Sequence, residues 1–169
     1  MNVTILAVGK LKDRFFEEGC GEYQKRLMRY CTLSVREAAD EKAPEALSPA
    51  QEEQVKEREG KRLLAMLDPR DHVIALTVTG KAYTSEGLAA RIGQLRDAGK
   101  NVSFLIGGSL GLSKEAVDRA DEELSLSQLT LPHRLARLVL LDEDGQEISL
   151  QRGKTFLVIG DQYTVVSYE

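Results

Sequence analysis

The sequence predicts an α/β domain built on a parallel sheet with helices on both faces. Two observations carry that prediction. Apolar, β-branched runs alternate with segments of helical periodicity over the first 141 residues, as strand–crossover–strand units do. The central runs, Val3–Val8, His72–Val78 and Val102–Ile106, are continuously apolar rather than alternating, as strands covered on both sides are.

Each element has a local reason. Val3–Val8 is β-branched and ends at a glycine, which reads as a buried first strand. Residues 12–29 carry Phe15, Phe16, Cys20, Tyr23, Leu27 and Tyr30 at helical spacing with charges between them. Leu33–Arg36 is a short strand, and the proline-containing stretch DEKAPEALSP reads as a loop. Ser48-Pro49 caps and opens a helix that reaches Asp68-Pro69. After the strand at His72, Thr84-Ser85 opens a helix ended near Gly99. Ser113 caps a short helix beyond Gly107-Gly108. Leu124–Leu126 is strand-like, and Pro132 starts a helix through Leu135 and Leu138. The reading is one domain over residues 1–169.

Composition narrows the function classes. With 42% hydrophobic and 30% charged residues, the chain is globular rather than disordered. No apolar run is long enough to span a bilayer, and MNVTILAVGK lacks a basic leader, so no membrane association is expected. Cys20 and Cys31 have no His or Cys partners at ligand spacing. No metal site is expected, and both read as reduced thiols of a cytoplasmic protein. The net charge of −4 argues against an autonomous nucleic-acid binder. Lys10, Lys12, Arg14, Lys25, Arg26 and Arg29 still form a basic cluster. It reads either as a solvated mixed-charge helix face or as a local basic surface.

In open parallel sheets, ligands collect beyond the carboxyl ends of the strands. Three such ends stand out: Thr77–Gly80, Ile106–Gly111 and Ser125–Pro132. Adjacent glycines Gly107-Gly108 let a ligand approach backbone, or merely shape a turn. Neither G-x-G-x-x-G nor a P-loop is present. The segment LSQLTL suits an adenosine-like ligand, with backbone groups reading the base edge between leucines. It can equally be a plain connection capped by Thr130 with Pro132 in the first turn. His72 reads as structural. His133 flanks the candidate site, with no nucleophile elbow nearby.

The segments AVGKLKDRFFEEGCGEYQKRL (7–27), ADEKAP (39–44), EGKRLL (59–64), VIALTVTGK (73–81), FLIGGSLGLS (104–113) and LSLSQLTLPHRLARLVLL (124–141) occur in that order. Together they resemble the ribosomal RNA large-subunit methyltransferase H family of SPOUT enzymes, which methylate N3 of a pseudouridine in 23S rRNA. The resemblance implies a trefoil-knotted α/β fold, a cytoplasmic homodimer, and S-adenosyl-L-methionine in the knot loops. By matched position, cofactor contacts fall on Leu76, Gly108 and the run Leu126, Ser127, Gln128, Leu129, Thr130 and Leu131. The implied substrate is the ribosome through its 23S rRNA. His133, Arg134 and Arg137 are the basic candidates for assisting transfer at N3. Leu135, Leu138 and the Phe15/Phe16 pair are candidates for the subunit face.

Beyond Leu141 the chain departs from the family, which closes in a helix bearing Tyr-Arg-Ala and a Tyr-His tail. Here Asp144-Gly145 reads as a hairpin turn before Ile148–Leu150. Lys154–Ile159 and Tyr163–Tyr168 are β-rich runs around Gly160-Asp161. A β-rich tail over 142–169 is therefore expected, lacking the family's Tyr, Arg and His groups and slowing turnover. The competing readings are a non-catalytic S-adenosylmethionine-binding or dimeric interaction protein, and a Rossmann-like nucleotide-binding domain.

Overall fold

The computed structural model describes residues 1–42, 46–150, 157–159 and 162–164, with side chains through Leu141. The elements run β1 (Asn2–Val8), α1 (Arg14–Leu27), β2 (Thr32–Ala38), α2 (Pro49–Ala65), β3 (His72–Ala82), α3 (Ser85–Asp97), β4 (Val102–Ile106), α4 (Lys114–Arg119), β5 (Glu122–Ser125) and α5 (His133–Leu150). The strands form one parallel sheet in the order β2-β1-β4-β3-β5.

Strand alternation divides the core into two halves. Val3, Ile5, Ala7, Phe104 and Ile106 point to one face, where α1, α3 and α5 supply Cys20, Leu27, Leu88, Ile92, Leu140 and Leu141. Leu6, Val8, Val73 and Leu105 point to the other, against Leu63 of α2 and Ala116 of α4. This two-sided burial is why the central strands are apolar at every position.

The helix starts follow the capping chemistry in the sequence. Asp13 accepts from Phe15 N, Thr84 from Gly87 N and Ser113 from Ala116 N. Ser48 and Gln51 form a reciprocal capping box ahead of α2. His72 has a structural place, as expected. Its Nε2 lies 2.6 Å from Glu122 Oε1, and Arg91 pairs with the same carboxylate, tying α3 and β3 to β5.

Two features differ from the expectation. Strand β3 runs on to Ala82, and its register against β5 shifts between Leu76 and Lys81, both opposite Leu124. A Cβ at Gly80 would lie 2.7 Å from the Leu124 carbonyl carbon, so the bulged strand passes too close for a side chain. The second difference is in the tail. Residues 142–150 continue α5 instead of turning at Asp144-Gly145. One glycine costs a helix about 1 kcal/mol relative to alanine, too little to stop a helix already held by buried Ala136, Leu140 and Leu141. Farther on, Leu157–Ile159 (β6) and Gln162–Thr164 (β7) do pair as antiparallel strands. The rest of the expected β runs, Lys154–Phe156, Gly160-Asp161 and Val165–Tyr168, lie outside the described residues.

Leu138, a candidate for the subunit face, packs into the monomer instead. Its Cδ1 lies 3.1 Å from the point where Gly19 would carry a Cβ, and it joins the core beneath α1 and α5. Leu135 is half-buried, whereas Phe15 is 67% exposed.

Candidate active site

Because all five strands are parallel, their carboxyl ends share one edge of the sheet. Along it lie Glu37 of β2, Gly9 after β1, Gly107-Gly108 after β4, Leu76 in β3 and Ser125 at the end of β5. The segment 126–132 leaves β5 at one side, and α5 then begins beside β1. His133 Nε2 lies 3.7 Å from where Gly9 would carry a Cβ. At about 4.8 Å per strand spacing, that connection spans roughly 14 Å. It therefore bridges the edge past β3 and β4, bringing the three expected ligand-contacting stretches onto one rim.

The rim offers backbone and apolar surface. Gly108 is half-buried, bridges Gly111 in antiparallel fashion, and its carbonyl accepts from Gly111 N at 3.1 Å. Leu76 and Leu126 are half-buried against the same core cluster. Ser125 Oγ donates to the Ser127 carbonyl, and Ser127 Oγ accepts from Leu129 N, each at 3.0 Å. This turn leaves Gln128, Leu129 and Thr130 exposed, Leu129 to 76%, with Leu131 half-buried. Thr130 is not a cap: α5 hydrogen bonding starts at the Pro132 carbonyl, which accepts from Ala136 N at 2.9 Å.

The basic candidates separate by environment. Arg137 is 1% exposed; its Nη1 lies 2.5 Å from Glu37 Oε1 and its Nη2 donates to the Gly9 carbonyl at 3.0 Å. It clamps α5 to β1 and β2 and faces no open surface, so the expectation of charge stabilisation at a bound base does not fit it. The buried guanidinium is held between one carboxylate and one carbonyl, and its Nε is buried without a partner among the described residues. Arg134 is half-buried, with a buried Nε that has no partner among the described residues. His133 is half-buried, and burial, then the charges of Arg134 and Arg137, push its pKa below the ordinary 6.5, opposed by Asp40. Its imidazole is therefore neutral at pH 7.

Glu59 and Glu37 were not legible as site residues. Glu59 is 5% exposed in α2; its Oε1 accepts from Glu41 N at 3.0 Å, while Oε2 is buried without a partner. Burial raises its pKa, helped by Asp40 and Glu41 and opposed by Arg62 and the Glu41 amide. That Oε2 would lie 2.8 Å from a Cβ at Gly108, and Val8 Cγ1 3.1 Å. A Gly108→Val change would thus disturb a buried carboxylate and a core valine. In sequence, Glu59 is one acid among several in α2 and only its neighbour Gly60, pressed against Ser113, marks the close approach.

Comparison with known proteins meets this geometry. The family model described as "Predicted SPOUT methyltransferase" matches residues 1–150. The proteins named ribosomal RNA large subunit methyltransferase H from Listeria welshimeri serovar 6b and from Bacillus pumilus are each 46% identical over 157 residues. Each alignment covers 92% of this chain and 99% of the relative. The chain belongs to the ribosomal RNA large-subunit methyltransferase H family of SPOUT methyltransferases. A solved structure, a probable methylase family protein from Haemophilus influenzae Rd KW20, shares the fold at TM-score 0.52 and 9% identity, over 93% of this chain and 71% of that one. The glycines, leucines and polar turn of the rim fall in the segments that carried the resemblance. Among the described residues, no helix is long and apolar enough to cross a membrane.

Proposed function

We propose that this cytoplasmic protein methylates N3 of a pseudouridine in 23S rRNA, using S-adenosyl-L-methionine, as a homodimer with a trefoil-knotted fold. The observation that carries the reading is the single rim formed by Leu76, Gly108 and residues 126–131, with neutral His133 at its end. It is supported by near full-length similarity to relatives named as ribosomal RNA large subunit methyltransferases.

The rim fits an adenosine-bearing ligand. Gly108 contributes half-buried backbone, Leu76 and Leu126 offer half-buried apolar faces, and the Ser127–Leu129 turn fixes an exposed backbone run. When bound, the cofactor supplies an electrophilic methyl group. The chain's task is to orient the base and to receive a proton from N3, a weak acid. His133 is the residue we assign to that step: a neutral imidazole beside the rim can accept a proton, and Arg137 fixes the backbone at Gly9 next to it. Arg134 is left to balance negative charge developing at the base.

Tritiated methyl transfer from S-adenosylmethionine to large ribosomal subunits lacking the modification tests the reading. Incorporation at one uridine-type position is expected. Cofactor binding without transfer would instead support the non-catalytic alternative. His133→Ala should slow transfer by about 10²–10⁴-fold, the usual worth of a positioned acid–base group. Its protonated form cannot accept a proton. With a pKa below 6.5, the wild-type rate should hold at neutral pH and fall only below that value. A pH–rate profile without that acidic limb would remove His133 from the role.

A further inference from the structure

The sheet edge that carries the rim also carries the first turn of α1, because each helix that follows a parallel strand starts at the carboxyl side. The connection between them, Gly9-Lys10-Leu11-Lys12-Asp13, is moored at the site. Gly9 (φ +84°) lies against His133 and gives its carbonyl to Arg137, while Leu11 N donates to Glu37, the carboxylate that pairs with Arg137. What this moored connection presents outward is unusual for a protein of net charge −4. Lys10 and Lys12 are exposed, and neither has an ion pair among the described residues. Next to them Phe15 is 67% exposed, held by an edge-to-face contact with Phe16 at a centroid distance of 5.2 Å.

Two of the acids nearby are already engaged. Asp13 caps α1 through Phe15 N, Glu18 pairs with Arg14 at 2.6 Å, and Glu17 shares the first turn of α1 with Phe15. The other titratable groups at this end are the neutral His133, the cations Arg134 and Arg137, Glu37 paired with Arg137, and Asp40 beside Gly9 and His133. An exposed ring flanked by unpaired cations is the chemistry that grips single-stranded nucleic acid: bases stack on the ring and phosphates meet the ammonium groups.

We propose that Lys10, Lys12 and Phe15 form the RNA-docking element of this site, with Phe15 stacking on an unpaired base of the substrate and the two lysines holding its backbone. The assignment rests on ribosomal RNA being the substrate, and it names the surface that receives it. It gives a purpose to Lys10 and Lys12 within the basic cluster that the overall charge conceals.

The test uses the full chain and a fluorescent hairpin RNA, taken from large-subunit rRNA, whose loop is unpaired. Phe15→Ala should weaken RNA binding about tenfold, the loss expected for one stacked base, and Phe15→Trp should retain it. Lys10→Ala/Lys12→Ala together should flatten the slope of log affinity against log salt by about 1.4–1.8, the signature of two lost phosphate contacts. S-adenosylmethionine affinity and thermal unfolding should stay at wild-type values in every variant. Undiminished RNA affinity in Phe15→Ala overturns the proposal. So does sedimentation showing that Phe15→Ala turns a dimer into monomers, which assigns the ring to a subunit contact. A wild-type chain that binds S-adenosylmethionine but neither binds the hairpin nor methylates large ribosomal subunits removes the rRNA reading itself, and the docking element with it; methylation of subunits without hairpin binding overturns the docking element alone.

Discussion

Replacing Gly107 with alanine is expected to abolish measurable S-adenosylmethionine binding and to lower the melting temperature by about 5–10 °C. The new Cβ would fall 2.6 Å from the Gly111 carbonyl oxygen and 2.7 Å from Leu112 N, and against the Gly111 carbonyl carbon. All three are backbone atoms, so nothing can rotate away and the turn from Gly108 to Gly111 must move as a unit. That turn is the middle of the rim. Calorimetry and thermal unfolding read the two effects separately. Wild-type cofactor affinity in Gly107→Ala would mean that the turn is not part of the ligand surface.

Removing the partner of Arg137 should have the largest effect on stability. Glu37→Ala leaves a guanidinium that is 1% exposed with the Gly9 carbonyl as its remaining acceptor. Orphaning one member of a buried pair typically costs about 3–5 kcal/mol; Glu37 is itself partly solvated, so the lower end, about 3 kcal/mol, is expected in urea unfolding. Arg137→Met, which removes the buried charge along with the pair, should cost less. If the two variants lose equal stability, the cost is packing rather than an unpaired charge.

These two residues show what was legible beforehand. The sheet was readable because burial on both faces leaves an unbroken apolar signature in Val3–Val8 and Val102–Ile106. The helix starts were readable because Ser48, Thr84 and Ser113 carry their capping chemistry locally. The candidate rim was legible as three strand ends, and the resemblance proposes a cofactor for them. The Arg137 clamp was not readable, because its partners, Glu37 and Gly9, lie 100 and 128 residues away in sequence. Nor was Glu59, whose burial depends on how α2 meets the Gly108 turn. The hairpin expected at Asp144-Gly145 failed for a related reason: local turn preference is weak beside a helix already anchored by its first turns.

The strand order β2-β1-β4-β3-β5 also sets a timetable for the nascent chain. The first strand can pair with β2 as soon as that segment emerges, but its other edge waits for β4, with Val3 opposite Val102. Closing so large a loop costs entropy before any contact rewards it, which slows folding in chains dominated by distant pairings. During synthesis, one edge of β1 stays open until β4 leaves the ribosome. The Gly9 carbonyl stays without its guanidinium longer still, until α5 arrives. Refolding of the full-length protein should therefore pass through a slow phase in which helices are present and β1 is unprotected against amide exchange.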